Sequence, residues 1–358
     1  MHLATAFMIG ASVWTIAHFL PSRKPSTDDL ILETWKQTGT TNRDGLLPQK
    51  KKGVWFLPAG LSPADIQRSL PALEYQINHK IEMEVRGKAV ILHLYPPLTN
   101  KIPYIEQDIS DYKLGLVLGK THKKDCLVLD LNDSSPYLLV AGGVGMGKSN
   151  LLNLVLAQIN ANYSPDRLQY YLLDLKLGVE LGLWEDSPLC GGCAWESGQD
   201  LDAVIGFLRR EVKRRMKKFK SAGVYKVDDY NKLPDIEPLP YLLLIIDEYA
   251  ELGRDKQVEA HLQHLLQIGR ASGLRAIIST QRPTHDLIST SIKGLIPSRI
   301  CFSVADGVNS DVVLDQRGAE DLGGIQGRTL MLHGAEIQEI QIMLADTNQE
   351  GTRAGSGW

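Results

Sequence analysis

Short apolar runs alternate with longer amphipathic stretches from about residue 112 onward, and this alternation predicts the fold. Three apolar strands are each followed by a helix: 136–141 by 148–160, 168–174 by 200–220, and 242–247 by 257–272. Further strands are predicted at 274–280, 299–304, 328–332 and 337–343, the last as an antiparallel edge. Such alternation predicts an α/β domain over residues 112–348, with a mostly parallel sheet and helices on both faces.

A second, smaller α/β domain is predicted over residues 53–111. Ser62 followed by Pro63 is a helix start, because Ser caps the first turn and Pro tolerates the first helical position. Two apolar runs at 81–85 and 89–95 are separated by a short polar segment containing Gly87, which predicts a hairpin.

The N-terminal segment predicts a membrane anchor over residues 1–21. Leu3 to Leu20 is eighteen residues without a formal charge at neutral pH, and Arg23 and Lys24 follow it. By the positive-inside rule this basic pair keeps the rest of the chain in the cytoplasm, at the cell membrane. The alternative is a buried or amphipathic helix, because several polar residues dilute the apolar run. Residues 22–52 are polar and predict a linker, and 349–358 predict a tail.

Composition limits how the chain could bind nucleic acid and whether its cysteines could bind a metal. The net charge of the 358 residues is −3, so a nucleic acid would have to be bound by a local basic patch. Cys190 and Cys193 form the only CxxC pair among four cysteines. Reduced thiols are the interpretation adopted, with a redox or metal role as the alternative.

A glycine-rich loop between a predicted strand and a predicted helix fits the pattern G-x-x-x-x-G-K-[ST]. In this pattern backbone N–H groups and the helix N-terminus bind phosphate oxygens. Lys148 is predicted to reach the β- and γ-phosphates of ATP, and the Ser149 hydroxyl to bind Mg²⁺. The predicted ATP-binding residues are Gly142, Gly143, Val144, Gly145, Met146, Gly147, Lys148, Ser149 and Asn150.

Two carboxylates end a buried apolar strand about a hundred residues later. Asp247 is predicted to hold Mg²⁺ through water, and Glu248 to act as general base toward the attacking water. The alternative is a strand that simply ends in an acidic turn. The P-loop in the same predicted sheet favours the catalytic interpretation, since ligands bind at the carboxyl ends of parallel strands.

The ordered motifs around these residues resemble the FtsK/SpoIIIE family of DNA-pumping ATPases. The similar segments are Leu118–Lys120, Tyr137–Gly142, Asp247–Leu252, Gly269–Leu274, Ser279–Pro283, Ile296–Ile300 and Gly318–Leu322. The resemblance covers about residues 112–345 and implies a RecA-like P-loop domain. It also implies a ring, hexameric in the family, through which double-stranded DNA moves.

The resemblance implies roles for residues beyond the two nucleotide motifs. Gln281 would contact the γ-phosphate and the attacking water. Arg299 would be the cation that each subunit presents to its neighbour's ATP, and Arg270 is the second candidate. The alternative for either arginine is an ordinary surface or interface salt bridge.

A basic run at residues 209–220 carries eight Lys or Arg residues in twelve positions. Arg214, Arg215, Lys217 and Lys218 are the candidates for contacts with DNA phosphates, which need no base recognition. A solvated helix or a subunit interface is the alternative. The loop after Asp174–Lys176 and the segment Thr284–Lys293 are further candidates for DNA contact.

These patterns together predict an ATP-driven DNA translocase, similar to FtsK-type proteins of conjugative or mobile elements. One alternative is a secretion-type ATPase that moves protein. Another is a membrane-tethered coupling module that uses ATP only for assembly.

Overall fold

The computed structural model describes residues 25–345, apart from 133, 253–255, 282, 285–287 and 289. The predicted anchor over 1–21 and the predicted tail over 349–358 lie outside the described residues. Among the helices that are described, none is long and apolar enough to cross a membrane. The chain divides after Pro97 into two compact units.

The N-terminal unit contains a four-stranded antiparallel sheet in the order β1-β2-β4-β3 and two described helices. Its elements are α1 (Thr27–Gln37), β1 (Gln49–Lys51), β2 (Val54–Phe56), α2 (Pro63–Ile77), β3 (Lys80–Arg86) and β4 (Ala89–Tyr95). The predicted start of α2 at Pro63 and the hairpin between β3 and β4 are both present.

Helix α1 occupies part of the segment predicted as a linker, so that prediction is wrong for these residues. Ser26 and Asp29 form a capping box that starts the helix. Ile31 and Trp35 are buried, and the Trp35 ring packs edge-on against Trp55 at 4.8 Å between centroids. Two well-placed apolar side chains anchor a helix whose composition is otherwise polar, which is why composition alone suggested a linker.

The C-terminal unit is built on a sheet in which ten strands are described, in the order β6-β5-β14-β13-β12-β7-β11-β10-β8-β9. These strands are β5 (Gly115–Thr121), β6 (Cys126–Asp130), β7 (Tyr137–Ala141), β8 (Leu168–Asp174), β9 (Cys190–Ala194), β10 (Tyr241–Asp247), β11 (Leu274–Thr280), β12 (Ser298–Phe302), β13 (Arg328–His333) and β14 (Glu336–Ile342). The helices are α3 (Lys148–Asn162), α4 (Gln199–Ala222), α5 (Val227–Tyr230), α6 (Tyr249–Leu252), α7 (Lys256–Gly269), α8 (Thr290–Lys293) and α9 (Gly307–Leu314), with 3₁₀ turns at Gly182–Trp184, Arg270–Ser272 and Ala319–Leu322.

Strands β12, β7, β11, β10, β8 and β9 run parallel, and the remaining pairings are antiparallel. Apolar clusters fill both faces of the sheet, one beneath α3 and the other beneath α4 and α7. The predicted mostly parallel α/β sheet is therefore confirmed. Since β7, β10 and β11 are parallel neighbours or near neighbours, their carboxyl ends share one edge of the sheet.

Two details of this unit differ from the predictions. The last strand, β14, is not an edge, because it pairs with β13 on one side and with β5 on the other. Residues 98–111 belong with this unit and not with the smaller one. There Ile102 is buried, and its carbonyl accepts a hydrogen bond from the Leu344 N–H at 2.8 Å.

Candidate nucleotide site

The loop between β7 and α3 can only be made with glycine at two of its turns. Gly142 has a φ of +150°, and a Cβ there would lie 2.5 Å from the Cβ of Phe302. Gly147 has a φ of +115°, and a Cβ there would approach the Phe302 ring at 3.2 Å. The loop therefore lies directly against β12, at the carboxyl edge of the parallel strands.

The backbone of this loop is oriented by the chain just before β13. Met146 O accepts from Gly327 N at 2.8 Å, and Gly145 O accepts from the Gln326 side chain at 3.2 Å. In a trans peptide the N–H points opposite to the C=O, so the N–H groups of Met146 and Gly147 face away from this segment. Together with the first turn of α3, whose N–H groups have no helical acceptor, they form a cradle that fits a phosphate.

Lys148 begins α3 and is only 4% exposed. Its ammonium donates to Gly142 O and Gly143 O, both at 2.7 Å. Burial lowers the pKa of Lys148 to about 8, although the charges of Glu248 and Asp247 oppose the shift. The cation is thus held by the loop itself, beside the two carboxylates that the sequence predicts for catalysis.

Asp247 and Glu248 lie where the sequence places them, at the carboxyl end of β10. Both are buried, and burial raises the pKa of Asp247. Glu248 has a φ of +62°, an uncommon conformation for a residue with a side chain. The Thr280 hydroxyl donates to its Oε1 at 3.0 Å and the Gln281 N–H at 3.2 Å, so the end of β11 holds the carboxylate in place.

Lys176 completes this cluster, and its place there was not predicted. It follows β8, and its Nζ lies 3.5 Å from Asp247 Oδ2 and 3.5 Å from Glu248 Oε2. The side chain is about a third exposed, in contrast with the buried carboxylates. The sequence signal was the position of Lys176 just beyond a strand that is parallel to β10, where side chains from both strands meet at one edge.

The remaining predicted nucleotide residues differ in their exposure and in the partners of their side chains. Val144 is 76% exposed at the tip of the loop, while Ser149 and Gln281 are half-buried beside the cluster. Asn150 is turned away, because its side chain donates to Met343 O at 2.8 Å and accepts from Ala345 N at 2.9 Å. Asn150 therefore ties α3 to the segment after β14.

Arg299 is held within its own chain. Its guanidinium donates to Asp315 at 2.5 Å and to the carbonyls of Val313, Ile296 and Lys293, all at 3.2 Å. The side chain is only 12% exposed, so a role toward a neighbouring subunit requires these contacts to break. Arg270 is exposed, at the amino end of β11 and away from the edge that carries the P-loop.

The basic run lies on α4, and the structure separates its four DNA candidates. Arg215 is 2% exposed, pairs with Glu211 at 2.7 Å, and donates to the carbonyls of Pro240 and Ser272. The prediction that Arg215 contacts DNA is therefore wrong, because its guanidinium fastens α4 to the chain around β10 and β11.

The other three candidates line a shallow groove of about 490 Å³ at the end of α4. Arg214 is bound to Glu211 through two hydrogen bonds of 2.6 and 2.7 Å. Lys217 is exposed, and Lys218 Nζ lies 5.9 Å from the centre of the Tyr230 ring. Lys217 and Lys218 are thus available for a partner on the surface.

Cys190 and Cys193 lie in β9 at the edge of the sheet, and neither is part of a disulfide. Burial raises the pKa of the Cys190 thiol to about 11. Among the described residues, no cluster of His, Cys, Asp and Glu could hold a metal ion through three such side chains.

The similarity of this chain to known proteins shows its family. The profile of the FtsK/SpoIIIE family matches residues 106–285, half of the chain, including the P-loop and both carboxylates. The chain belongs to the FtsK/SpoIIIE family. It is therefore a P-loop ATPase, and the profile match includes the loop, Lys148 and the carboxylate pair.

Curated relatives extend the similarity beyond the profile. The DNA translocase FtsK of Clostridium tetani is 31% identical over 284 residues, which cover 76% of this chain and 38% of the relative. The DNA translocase SftA of Bacillus subtilis is 32% identical over 291 residues, covering 78% of this chain and 30% of the relative. The chain thus spans less than two-fifths of the length of these relatives.

Solved structures show the same architecture. The pCW3 conjugation coupling protein TcpA, in a monomer form with ATPγS, matches with a TM-score of 0.65 and 25% identity, over 90% of this chain and 96% of that one. The cytoplasmic domain of the Type VII secretion ATPase EccC from Thermomonospora curvata matches with a TM-score of 0.63 and 21% identity, over 73% of this chain and 33% of that one. The second likeness concerns the fold alone.

Proposed function

We propose that this chain uses ATP hydrolysis to move double-stranded DNA. The proposal is supported by the burial of Lys148, Asp247 and Glu248 together at the carboxyl edge of the sheet. The relatives named DNA translocases supply the substrate, and the likeness to TcpA along nearly the whole chain favours a role in conjugative transfer. The secretion ATPase shares the fold only, so it provides no argument for a protein substrate.

In the proposed mechanism the P-loop backbone binds the phosphates, and Lys148 exchanges its two loop carbonyls for phosphate oxygens. Ser149 and Asp247 would hold Mg²⁺, whose charge would stabilise the leaving phosphate. Glu248 accepts a proton from the attacking water, at a carboxylate that Thr280 and Gln281 keep in position. The Gln281 N–H donates to the Glu248 carboxylate, so Gln281 would respond when Glu248 engages the attacking water.

The proposed function also requires an assembly, a location in the cell and a surface that contacts DNA. We propose a homo-oligomeric ring, hexameric as the family resemblance implies, with Arg299 presented to the neighbouring subunit after its contact with Asp315 is broken. Residues 1–21 would attach this ring to the cell membrane, with the ATPase domain in the cytoplasm. Lys217 and Lys218 are the candidates for DNA phosphates on α4.

Steady-state ATP hydrolysis by the full chain, with and without linear duplex DNA, tests the central proposal. DNA should stimulate turnover, and the stimulation should fall steeply with salt because phosphate contacts release counterions. Lys148→Ala should remove turnover under every condition. Turnover that is present in the wild type but indifferent to DNA would contradict the DNA substrate and leave the ATPase assignment intact.

A further inference from the structure

The loop at residues 175–181 is folded around the buried carboxylate of Asp174, the last residue of β8. Asp174 Oδ1 accepts from Lys176 N at 3.1 Å, and its Oδ2 accepts from Glu180 N at 3.0 Å and Leu181 N at 3.2 Å. These bonds force a tight loop whose apolar tip faces solvent, with Leu177 69% and Val179 78% exposed. The loop thus joins a rigid base to an exposed tip.

One end of this loop is fixed to the P-loop helix. Asn153 on α3 donates to Ser149 O at 2.9 Å and to Glu180 O at 3.5 Å, and it accepts from Trp184 Nε1 at 2.8 Å. The other end reaches the catalytic carboxylates through Lys176 alone among the described contacts, at 3.5 Å from each. Between these attachments Leu177 N also donates to Trp195 O at 3.2 Å, and of these contacts the Lys176 pairing is the one that a metal ion at the carboxylates would displace.

Lys176 is paired with Asp247, the carboxylate proposed to hold Mg²⁺. Its ammonium lies 3.5 Å from a carboxylate oxygen of Asp247 and 3.5 Å from one of Glu248. The carboxylates are almost fully buried, while the lysine is about a third exposed. Since the lysine is partly exposed, a Mg²⁺ that takes over the pairing with the carboxylates would displace its ammonium toward solvent. Leaving the ammonium beside the bound metal would place like charges within a few ångströms in a poorly hydrated site.

We propose that Lys176 is a positioning residue that competes with Mg²⁺ for Asp247, so that metal–nucleotide binding releases the 175–181 loop. The inference rests on the proposed nucleotide site and does not depend on DNA. In this arrangement the ammonium stabilises the carboxylate pair before the metal binds. Its release then transmits nucleotide state to the exposed Leu177 and Val179.

Hydrogen–deuterium exchange of the full chain tests the proposal without relying on activity. Peptides that cover 175–184 are compared with ATPγS in EDTA and with ATPγS and Mg²⁺. In the wild type, Mg²⁺ should speed exchange of the loop amides by at least about threefold, because a loop no longer held by Lys176 opens more often. Lys176→Gln should show fast exchange already in EDTA, with no further change on adding Mg²⁺.

A second readout is the Mg²⁺ concentration that half-saturates protection of the P-loop peptide by ATPγS. Without the competing ammonium, Lys176→Gln should need at least about threefold less Mg²⁺. Lys113→Gln is the matched control, because Lys113 pairs with Asp228 on the surface, away from the carboxylate cluster. This control should behave like the wild type in both measurements.

Two different failures can be told apart. If Lys176→Gln and the wild type show the same loop exchange and the same Mg²⁺ requirement while ATPγS protects the P-loop peptide, the Lys176 inference is wrong and the nucleotide site stands. If ATPγS with Mg²⁺ does not protect the P-loop peptide in the wild type, the proposed nucleotide site itself is wrong.

Discussion

At the carboxyl edge of the sheet, two lysines and two carboxylates from three segments share one poorly hydrated site. Helix α4 places eight basic residues within twelve positions of a single segment, yet the most buried of them, Arg215, makes purely internal contacts. At the sheet edge, burial brings ionised side chains together at the candidate nucleotide site. On α4, the buried Arg215 holds the helix in place, and the exposed basic residues remain for a partner.

The comparison shows that the number of charged residues in a segment predicts their function less well than the position of each side chain in the fold. Lys148 and Arg215 are both buried cations, and both donate to backbone carbonyls. Lys148, however, also lies beside Asp247 and Glu248 at the edge where parallel strands bind ligands, whereas Arg215 meets its carboxylate one helical turn away on its own helix.

The largest expected effect comes from removing the carboxylate of Glu248 at the sheet edge. Glu248→Gln should lower the rate of ATP hydrolysis by about 10²- to 10⁴-fold, the range for loss of a general base, while ATPγS binding persists. The glutamine oxygen can still accept from Thr280 and Gln281, so the fold should be retained. Single-turnover hydrolysis and nucleotide binding measure the two parts separately.

Glu259→Gln on α7 is the control for this experiment. Glu259 accepts hydrogen bonds from the Tyr249 hydroxyl at 3.3 Å and from Gln263 Nε2 at 3.4 Å, and it has no proposed role toward nucleotide. It should hydrolyse ATP at about the wild-type rate. A Glu248→Gln variant with full turnover would show that another group accepts the proton. The buried carboxylates at the sheet edge would then no longer differ from α4 by a catalytic role.

On α4 the expected effect is on stability and not on turnover. Glu211→Gln leaves the Arg215 guanidinium buried without its charged partner, which should lower the free energy of unfolding by about 3–5 kcal/mol. Urea unfolding measures this difference. Arg209→Gln, an exposed basic residue of the same helix, should change stability by no more than about 0.5 kcal/mol. Equal effects of the two substitutions would contradict the structural role of the Glu211–Arg215 pair.

Much of the nucleotide site could be predicted because its signals lie in contiguous residues. The strand, loop and helix that form the cradle are consecutive, and Asp247 and Glu248 directly follow the apolar run of β10. The contacts of Lys176 and Thr280 could not be predicted in the same way. They depend on which strands become neighbours, and β10 lies between β8 and β11, strands that are distant from one another in the chain.

The errors have a physical cause as well. Arg215 was assigned to DNA because a run of basic residues does not reveal which face of the helix is buried. Helix α1 was missed because only Ile31 and Trp35 are fully buried among its apolar residues. Strand β9 was missed because its two central glycines and two cysteines supply no apolar run.

Acid should remove the stabilisation that the Glu211 carboxylate gives to α4. Burial opposes ionisation, but hydrogen bonds from Arg214 and Arg215 prevail and lower the pKa of Glu211 to about 2. A lowered carboxyl pKa stabilises the fold above the unfolded value of about 4.3 and loses that contribution as pH falls toward 2. The stability difference between wild type and Glu211→Gln should therefore be constant from about pH 7 to 5 and shrink below about pH 4. Urea unfolding across this range measures it, and a difference that stays constant down to pH 3 would contradict the pairing.

The smallest expected effect concerns Lys217 and Lys218 of α4, and it tests whether this helix contacts DNA. Each phosphate contact contributes about 0.9 to the slope of log affinity against log salt, so replacing Lys217 and Lys218 by Gln should reduce the slope by up to about 1.8. Fluorescence anisotropy with a labelled duplex at several salt concentrations gives the slope directly. The adjacent pair Lys123 and Lys124, exposed in the turn between β5 and β6, provides a matched double Gln control that removes the same charge. A slope that changes only for the α4 pair places DNA phosphates on this helix. Equal changes in both variants would mean that net charge alone matters, and no change in either would direct the search to the loops beside the nucleotide site.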